Sequence, residues 1–476
     1  MVLLLSLTLG VRTASAEPLQ LRQILQQVID HYPSVETALL QVQRARLSEA
    51  KTRSLLGWQL QAQAGVQRDA SQFFGTAIDI FNANTRLSRQ LDNGGQLALS
   101  AALNRQNSED SFSIVPNPAT STALDLSYRH PLGKGADNPA YAETRMQAQL
   151  DESLALAQRT ALYDQLAEQV VELYISARNT HIRQRNLDQA IARSLRRQRY
   201  LQQRRELGVA EEKDLLQVEA QIRSQRAERK ALDVLWHSQR IQLNRLMGRV
   251  ADAHLQFEPE TLEVIEAALD ESVAGLRQKI LARHAELADI EARLQLAESR
   301  IRLRRDAQKD QLDVVLFVGN RTTRGDVISG TLDASELVGG VRLEYQQQLD
   351  RHAVDAELEQ AMLDRDLALI QKRQLLQDID YDIAVLRAQL DTGKQAWQAY
   401  QASVASEQRK LREAEQRYRS GRSDTDQLIA FEAQLASAEL SAELRKLELL
   451  KNAYRLQLLS GELWQGVRLP AVETEQ

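Results

Sequence analysis

One motif occurs twice in this chain, and the duplication constrains the fold more than any single residue does. Residues 208–221 begin with a glycine, reach a Leu-Leu pair at Leu215 and end in Glu-Ala-Gln. Residues 421–434 repeat this spacing, with Leu428-Ile429 and the same ending. Repetition at this distance indicates two copies of one structural unit. We predict a first repeat at 17–262, a second at 263–464 and a C-terminal tail at 465–476.

Long stretches of the chain lack residues that interrupt helices. None of the eight prolines lies between 140 and 258 or between 260 and 469, and glycine is absent from 136–207, 209–247 and 341–392. Because Pro costs ~3 kcal/mol and Gly ~1 kcal/mol inside a helix, these gaps predict long helices. A charged fraction of 26% with only 5% aromatic residues is typical of coiled coils.

A heptad pattern runs along the predicted helix from about 352 to 419. At ~1.5 Å per residue this helix would reach ~100 Å, which a small globular domain does not need. Trp397 and Tyr400 occupy consecutive pattern positions, so we expect both between helices. The apolar steps of three and four pass through positions 376, 379, 383, 386, 390, 393, 397, 400, 404, 407, 411, 414 and 418, with lapses at Gly393 and Glu407.

The repeated glycines mark the turns of two helical hairpins. Gly208 and Gly421 each follow a long helical run, where a residue of left-handed conformation commonly ends a helix. We therefore predict antiparallel hairpins that turn at 208–212 and 421–425. The fold class is mainly α, with a helical barrel or coiled coil built from these hairpins.

Two glycine- and proline-rich segments interrupt the helical pattern at matching places, about 57–135 and 311–350. Here apolar residues alternate with period two, as from Trp58 to Val66, which predicts strands. An added hairpin is predicted at Arg86–Asn104, with its turn at Asp92–Gly95. Four long strands leave open edges and are too few for a barrel with a lumen, so the simplest arrangement is one barrel to which several chains contribute strands. The alternative from the pattern alone is a β-sandwich that caps a coiled coil.

The N-terminus predicts export from the cytoplasm. Residues 1–16 contain a short apolar run ending in Ala14-Ser15-Ala16, which is typical of a secretory signal peptide. The chain has no cysteine, which excludes disulfides and thiolate chemistry. A net charge of −5 gives no reason to expect a nucleic-acid partner.

No residue pattern predicts catalysis, so we expect no enzyme activity, no cofactor and no metal site. The seven histidines are scattered without ligand spacing, and no Ser/His/Asp set or paired catalytic carboxylates occur. An arginine-rich run is interpreted as a solvated helix face; it comprises Arg193, Arg196, Arg197, Arg199, Arg204 and Arg205.

Several motifs together resemble the TolC-type outer membrane efflux proteins, the outer membrane factor family. The resemblance extends from about residue 19 to 464 and includes the order and duplication of the elements. Its local motifs are the two glycine turns, Leu21-x-x-Ile24 with Tyr32-Pro33, Tyr128-Arg-His-Pro131-Leu132-Gly133, and Leu459-Ser460-Gly461-Glu462-Leu463-Trp464.

The resemblance implies a homotrimer whose strands form a 12-stranded β-barrel in the outer-membrane lipid, with helices continuing into the periplasm. It implies passive export of substrates delivered by an inner-membrane transporter and a periplasmic adaptor protein. The alternative function is that of the periplasmic coiled-coil adaptor itself, although adaptors carry one helical hairpin and this chain carries two. A surface coiled-coil adhesin is a third reading, disfavoured by antiparallel hairpins.

The resemblance also implies a gate at the hairpin turns. Tyr418 matches the family's aromatic position and Asp214 its acidic partner, so we predict that the Tyr418 hydroxyl donates a hydrogen bond to the Asp214 carboxylate where the two hairpin ends meet. The basic position of the family falls on Ser423, and its two acidic-ring positions fall on Gln427 and Ala430, so this sequence departs from the pattern there. Asp424 and Asp426 are the nearest carboxylates. An ordinary role in starting the last helix would also explain both aspartates, because carboxylates favour helix N-termini by ~0.3–1 kcal/mol.

Overall fold

The computed structural model describes residues 19–70, 77–109, 116–208, 211–258, 262–420, 422 and 425–470. The predicted signal segment, 1–16, lies outside these residues. Within the described ranges, no helix combines the length and the apolar character needed to cross a membrane.

The chain forms two compact units. One comprises Met1–Leu40, Gln158–Ala285 and Gln374–Gln476, and the other comprises Gln41–Ala157 and Glu286–Arg373. Each unit draws on both predicted repeats, because the chain passes from one unit to the other within its long helices.

The described residues of the second unit contain one antiparallel sheet of six strands. Its order follows the chain, so each strand pairs with its sequence neighbour. Four strands come from the first predicted repeat and two from the second. The strands are β1 (Trp58–Ala70), β2 (Ala77–Gln90), β3 (Gln96–Ser108), β4 (Ala119–Pro131), β5 (Gln311–Val327) and β6 (Gly330–Gln346).

The hairpin predicted at Arg86–Asn104 is confirmed, and it is part of the sheet. Strand β2 pairs with β3 from Ile78↔Ser108 to Gln90↔Gln96, while β2 also pairs with β1 and β3 with β4. The expectation of four strands per chain is therefore too low for the described residues, which form six. Sequence reasoning found the turn but not the partners that insert the hairpin between β1 and β4.

The pairing register gives the sheet two different faces. Directly opposed residues of neighbouring strands point to the same side. One face is mostly apolar around the middle of the strands, and the other is mostly polar. An apolar row runs Leu60, Leu87, Leu99, Leu126 and Val318, and the adjacent row on the opposite face runs Gln61, Arg86, Ser100, Asp125 and Gly319.

Most of the remaining chain is helical. The two longest helices contain 68 residues each, one in each predicted repeat, which matches the breaker-free stretches. The helices are α1 (Leu21–His31), α2 (Pro33–Arg53), α3 (Pro139–Glu206), α4 (Glu212–Leu246), α5 (Glu263–Asp270), α6 (Val273–Arg283), α7 (Ala285–Ala307), α8 (His352–Arg419) and α9 (Thr425–Ser460).

The first unit has a continuous hydrophobic core formed by helices from both repeats. Ile24 of α1, Tyr174 of α3, Leu243 of α4 and Leu456 of α9 are almost fully buried in it. Trp397 of α8 packs against the same core and is half-buried.

The predicted heptad register of α8 is confirmed. Every one of its 13 positions from Leu376 to Tyr418 is buried or half-buried, including Trp397 and Tyr400. At the Gly393 lapse, an added Cβ would lie 2.9 Å from Leu449 Cδ2. The glycine thus gives α9 room to approach α8 closely.

Candidate functional site at the helical turns

The first predicted turn connects α3 to α4. Gly208 follows the end of α3 and has φ +73°, and its amide donates to the Arg205 carbonyl at 2.8 Å. This left-handed conformation is the one expected of a glycine that ends a helix. Asp214 lies in the first turn of α4, half-buried, where the partial positive charge of the helix N-terminus favours a carboxylate.

The second predicted turn connects α8 to α9 and is described only in part. Gly421, Ser423 and Asp424 lie outside the described residues. Asp426 and Gln427 are exposed in the first turn of α9. The carboxylate of Asp426 therefore occupies the position expected of a helix-starting residue, whatever further role it has.

Lys213 in the first turn interacts with carboxylates of both turns. Lys213 Nζ pairs with Glu211 at 2.9 Å, and this partner is the main reason that the pKa of Lys213 is raised. The charges of Asp214 and Asp426 raise it further. Asp426 of the second hairpin thus lies close enough to interact with Lys213 of the first. The positive charge of Lys213 partly compensates the carboxylates of Glu211, Asp214 and Asp426.

Tyr418 packs against a residue that the sequence analysis did not single out. Its ring lies 5.8 Å from the ring of Tyr200 on α3, with an interplanar angle of 54°. The Tyr200 hydroxyl accepts a hydrogen bond from Arg204 Nη1 at 3.1 Å. The aromatic pair joins the last turn of α8 to α3. The predicted hydrogen bond from Tyr418 to Asp214 stays a prediction.

The interpretation of the arginine run is wrong for Arg197. This residue is only 5% exposed, and its guanidinium forms an ion pair with Glu432 of α9. Both side chains line a cavity of about 280 Å³ together with Tyr200 and Tyr418. Ser194 and Leu201, three residues before and four residues after Arg197, are also buried. That three-and-four spacing is the signal that could have identified Arg197 as an interhelical position.

Hydrophobic contacts hold the same region together. Leu201 of α3 packs with Val218 and Ile222 of α4, and Ile429 of α9 lies against them. Tyr418 and Phe431 pack against a second cluster of α8 and α9 residues that includes Leu411 and Leu428. The two hairpins therefore meet through apolar contacts, an aromatic pair and one buried ion pair.

Solved outer-membrane channels have a similar fold. The outer-membrane channel OprN is 16% identical with a TM-score of 0.65, and the match covers 94% of this chain and 90% of OprN. CusC, whose structures concern folding and transmembrane channel formation, is 16% identical with a TM-score of 0.64, covering 94% of this chain and 92% of CusC. The outer membrane protein VceC of Vibrio cholerae is 14% identical with a TM-score of 0.64, covering 95% and 97%.

No protein-family profile and no curated protein sequence matches the chain. At these identities the structural likeness establishes the fold, and it does so over nearly the whole chain. The expected combination of long helices with an antiparallel sheet is thereby confirmed, and the trimeric 12-stranded barrel stays a prediction. The chain has the fold of the TolC-type outer-membrane efflux channels.

Proposed function

We propose that this protein is an outer-membrane channel that exports substrates passively, with the sheet in the membrane and the helical hairpins in the periplasm. The observation that carries the proposal is the two-faced sheet. Its apolar face leaves large side chains exposed, among them Leu60 at 68%, Leu124 at 53% and Val341 at 73%. Strands that alternate apolar and polar residues, with the apolar side outward, are the pattern of outer-membrane barrels.

The open edges of the sheet support a shared barrel. Within the described part of the chain, β1 and β6 each pair on one side only. Unpaired backbone groups cannot be left in lipid, so a membrane-spanning sheet must close on itself or on other copies. We propose a homotrimer, as the resemblance to TolC-type proteins implies.

The turns of the hairpins are proposed as the periplasmic gate. Tyr418, Tyr200 and the Arg197–Glu432 pair hold the hairpins together, and Asp214 and Asp426 place carboxylates beside them. A periplasmic adaptor and an inner-membrane transporter are the proposed partners, which would deliver the substrate and drive opening. Transport through such a duct requires no bond to be made or broken by the protein.

The two faces of β4 provide a matched test. Leu126 lies on the apolar face near the strand centre, and its neighbour Ser127 lies on the opposite face. An arginine at the bilayer midplane costs ~2–4 kcal/mol on the lipid face of a barrel, whereas lumen positions tolerate it. We expect Leu126→Arg to abolish or strongly reduce assembled trimer in the outer-membrane fraction, while Ser127→Arg assembles normally.

The measurement is membrane fractionation followed by native mass determination of the detergent-extracted protein. A stable soluble periplasmic monomer would refute the channel and favour the periplasmic adaptor. Equal assembly of both arginine variants would refute the assignment of the apolar face to lipid. Co-purification with a periplasmic adaptor and an inner-membrane transporter tests the proposed partners separately.

A further inference from the structure

The hairpin β2–β3 bears on the size of the barrel. The resemblance to TolC-type proteins implies 12 strands, which requires four from each of three chains. The described sheet instead contains six strands in one uninterrupted ladder.

Strand length places the hairpin within the membrane part. Strands β2 and β3 contain 14 and 13 residues, and the flanking β1 and β4 contain 13 each. Pairing runs along essentially the whole of each strand, from Trp58↔Arg89 to Ala70↔Ala77 and from Gln96↔Arg129 to Gln106↔Ala119. The strands of the hairpin are therefore as long as the flanking strands β1 and β4. Strands of ~9–11 residues suffice to cross a bilayer.

Chemistry gives the same answer, because the hairpin continues both faces of the sheet. Around the middle of the strands its apolar side chains fall mostly in register with those of β1 and β4, and its other face is mostly polar. The apolar face also carries Thr85 and, toward the strand ends, Asp79, Arg89, Arg105 and Asn107. A hairpin outside the membrane would expose this apolar face to water. The apolar-face residues are Phe81, Ala83, Leu87, Leu97, Leu99 and Leu103, and the polar-face residues are Asn82, Asn84, Arg86, Ser88, Ser100 and Asn104.

The turn between β2 and β3 is fixed at the end of the sheet from which α3 leaves. Asn138, just before α3, donates from Nδ2 to the Leu91 carbonyl at 3.2 Å. Gly94 lies so close to Gly135 that an added Cβ would be 2.1 Å from the Gly135 carbonyl oxygen. The glycine at this turn is thus required by close backbone approach, and the hairpin cannot swing away from the base of the sheet without losing these contacts.

We propose that three copies close a barrel of 18 strands, in which β6 of each copy pairs with β1 of the next. This inference rests on the proposed trimeric channel. With strands ~4.8 Å apart and tilted ~40°, a barrel of 18 strands has a backbone diameter of roughly 36 Å, against roughly 24 Å for 12. Barrels of 16–18 strands enclose an aqueous channel, so the membrane part of this duct is wide and lined by the polar face.

Edge pairing between copies is compatible with the strand directions. An even number of strands alternating in direction leaves β1 and β6 antiparallel to each other, so identical copies join antiparallel throughout. A dimer would reach 12 strands by the same pairing. The strand count and the symmetry are therefore separate observables.

Single-particle cryo-electron microscopy of the full chain in lipid nanodiscs tests the inference. We expect threefold symmetry and 18 strands, with β2 and β3 in the barrel wall. A trimer with a 12-stranded wall and the hairpin outside it would overturn this inference and leave the proposed channel intact. A dimer with 12 strands, or a soluble monomer, would overturn the proposed trimer itself.

A deletion gives a second test. Removing residues 73–112 connects β1 to β4 by a loop and keeps their alternating directions. We expect the assembled variant to have a 12-stranded wall, with a diameter smaller by about one third as follows from the strand number.

The sequence contains no cysteine, so a disulfide cross-link in the variant Ala64→Cys with Ala83→Cys reports on β1–β2 pairing in the full-length trimer without background. An unchanged wall in the deletion variant, or no cross-link in the assembled double variant, would overturn the inference.

Discussion

The ion pair between Arg197 and Glu432 predicts how a substitution at the candidate gate changes the stability of the protein. Their side chains are only 4% and 15% exposed, so the pair belongs to the buried class rather than the surface class. Removing one partner of a buried pair leaves an uncompensated charge and typically costs ~3–5 kcal/mol. We expect Glu432→Gln to destabilise the protein by a value near the lower end of that range, because glutamine can still accept a hydrogen bond from Arg197.

A surface pair in the same unit provides the control. Arg445 and Glu448 on α9 contact at 2.7 Å with side chains 47% and 58% exposed. Exposed pairs contribute ~0.2–1 kcal/mol, so Glu448→Gln should lower the melting temperature several times less than Glu432→Gln does. The melting temperatures of both variants are measured by intrinsic tryptophan fluorescence during heating of detergent-solubilised protein. Their channel activity is measured as single-channel conductance in planar bilayers. Only Glu432→Gln should also raise conductance, because it loosens α9 from α3.

Replacing both partners separates charge from shape. Arg197 Nη1 is buried and has no hydrogen-bond partner among the described residues, so the pair is incompletely compensated. Apolar replacement of such a pair is often neutral or stabilising. We expect Arg197→Met with Glu432→Leu to recover most of the stability lost by Glu432→Gln alone. Equal melting temperatures for Glu432→Gln and Glu448→Gln would show that the pair is solvated in the assembled protein and would refute the reasoning.

Four further variants test residues of the first unit. Trp397→Ala should lower the free energy of unfolding, and with it the melting temperature, but by less than the ~3–5 kcal/mol lost on truncating a fully buried tryptophan, since Trp397 is half-buried. Burial raises the pKa of Asp164, whose Oδ1 accepts from Trp464 Nε1 at 2.9 Å. The folded state therefore keeps this proton to higher pH than the unfolded state, and stability falls as pH rises above ~4. Asp164→Asn should raise the melting temperature at neutral pH and have little effect below pH ~4. Tyr418→Phe should raise single-channel conductance, and Asp426→Asn should lower cation selectivity.

Each of these outcomes has a contrary result. An unchanged melting temperature for Trp397→Ala would show that its packing against the core adds nothing. If Asp164→Asn had the same effect at pH 4 and pH 7, or matched the exposed control Glu228→Gln, the burial of the Asp164 charge would not matter. Unchanged conductance and selectivity in Tyr418→Phe and Asp426→Asn would make these residues ordinary helix-terminal residues.

The long helices could be predicted because the forces that form them are local. Helix α3 fills the glycine-free run that precedes Gly208. Helix α8 extends from His352 almost to Gly421, interrupted in the heptad pattern only by Gly393 and Glu407. The heptad register predicted which face of α8 is covered. It did not predict why position 393 is glycine, because the reason is Leu449, a contact between helices that no local pattern encodes.

The candidate gate was predictable only at the turns themselves. Gly208, Asp214 and Tyr418 follow from the repeat and from the family resemblance. The Tyr200–Tyr418 contact and the Arg197–Glu432 pair depend on how α3 packs against α8 and α9, which are more than 200 residues away in sequence. Charge composition also misled the interpretation, since an arginine-rich run on a helix is usually solvated. Because Arg197 lies on the face of α3 that packs against α9, it is buried in spite of its charge.

The added hairpin illustrates how one repeat can change without disturbing the other. A hairpin adds an even number of strands, so β4 still runs in the direction that feeds α3, and β1 and β6 remain the open edges. The contact between copies is therefore unchanged by the insertion, and only the circumference of a shared barrel grows. The helices confirm this independence, because α3 and α8 have equal lengths although their repeats contribute four and two strands of the described sheet. If three copies pair edge to edge, the barrel can widen while the helical hairpins that form the candidate gate keep their dimensions.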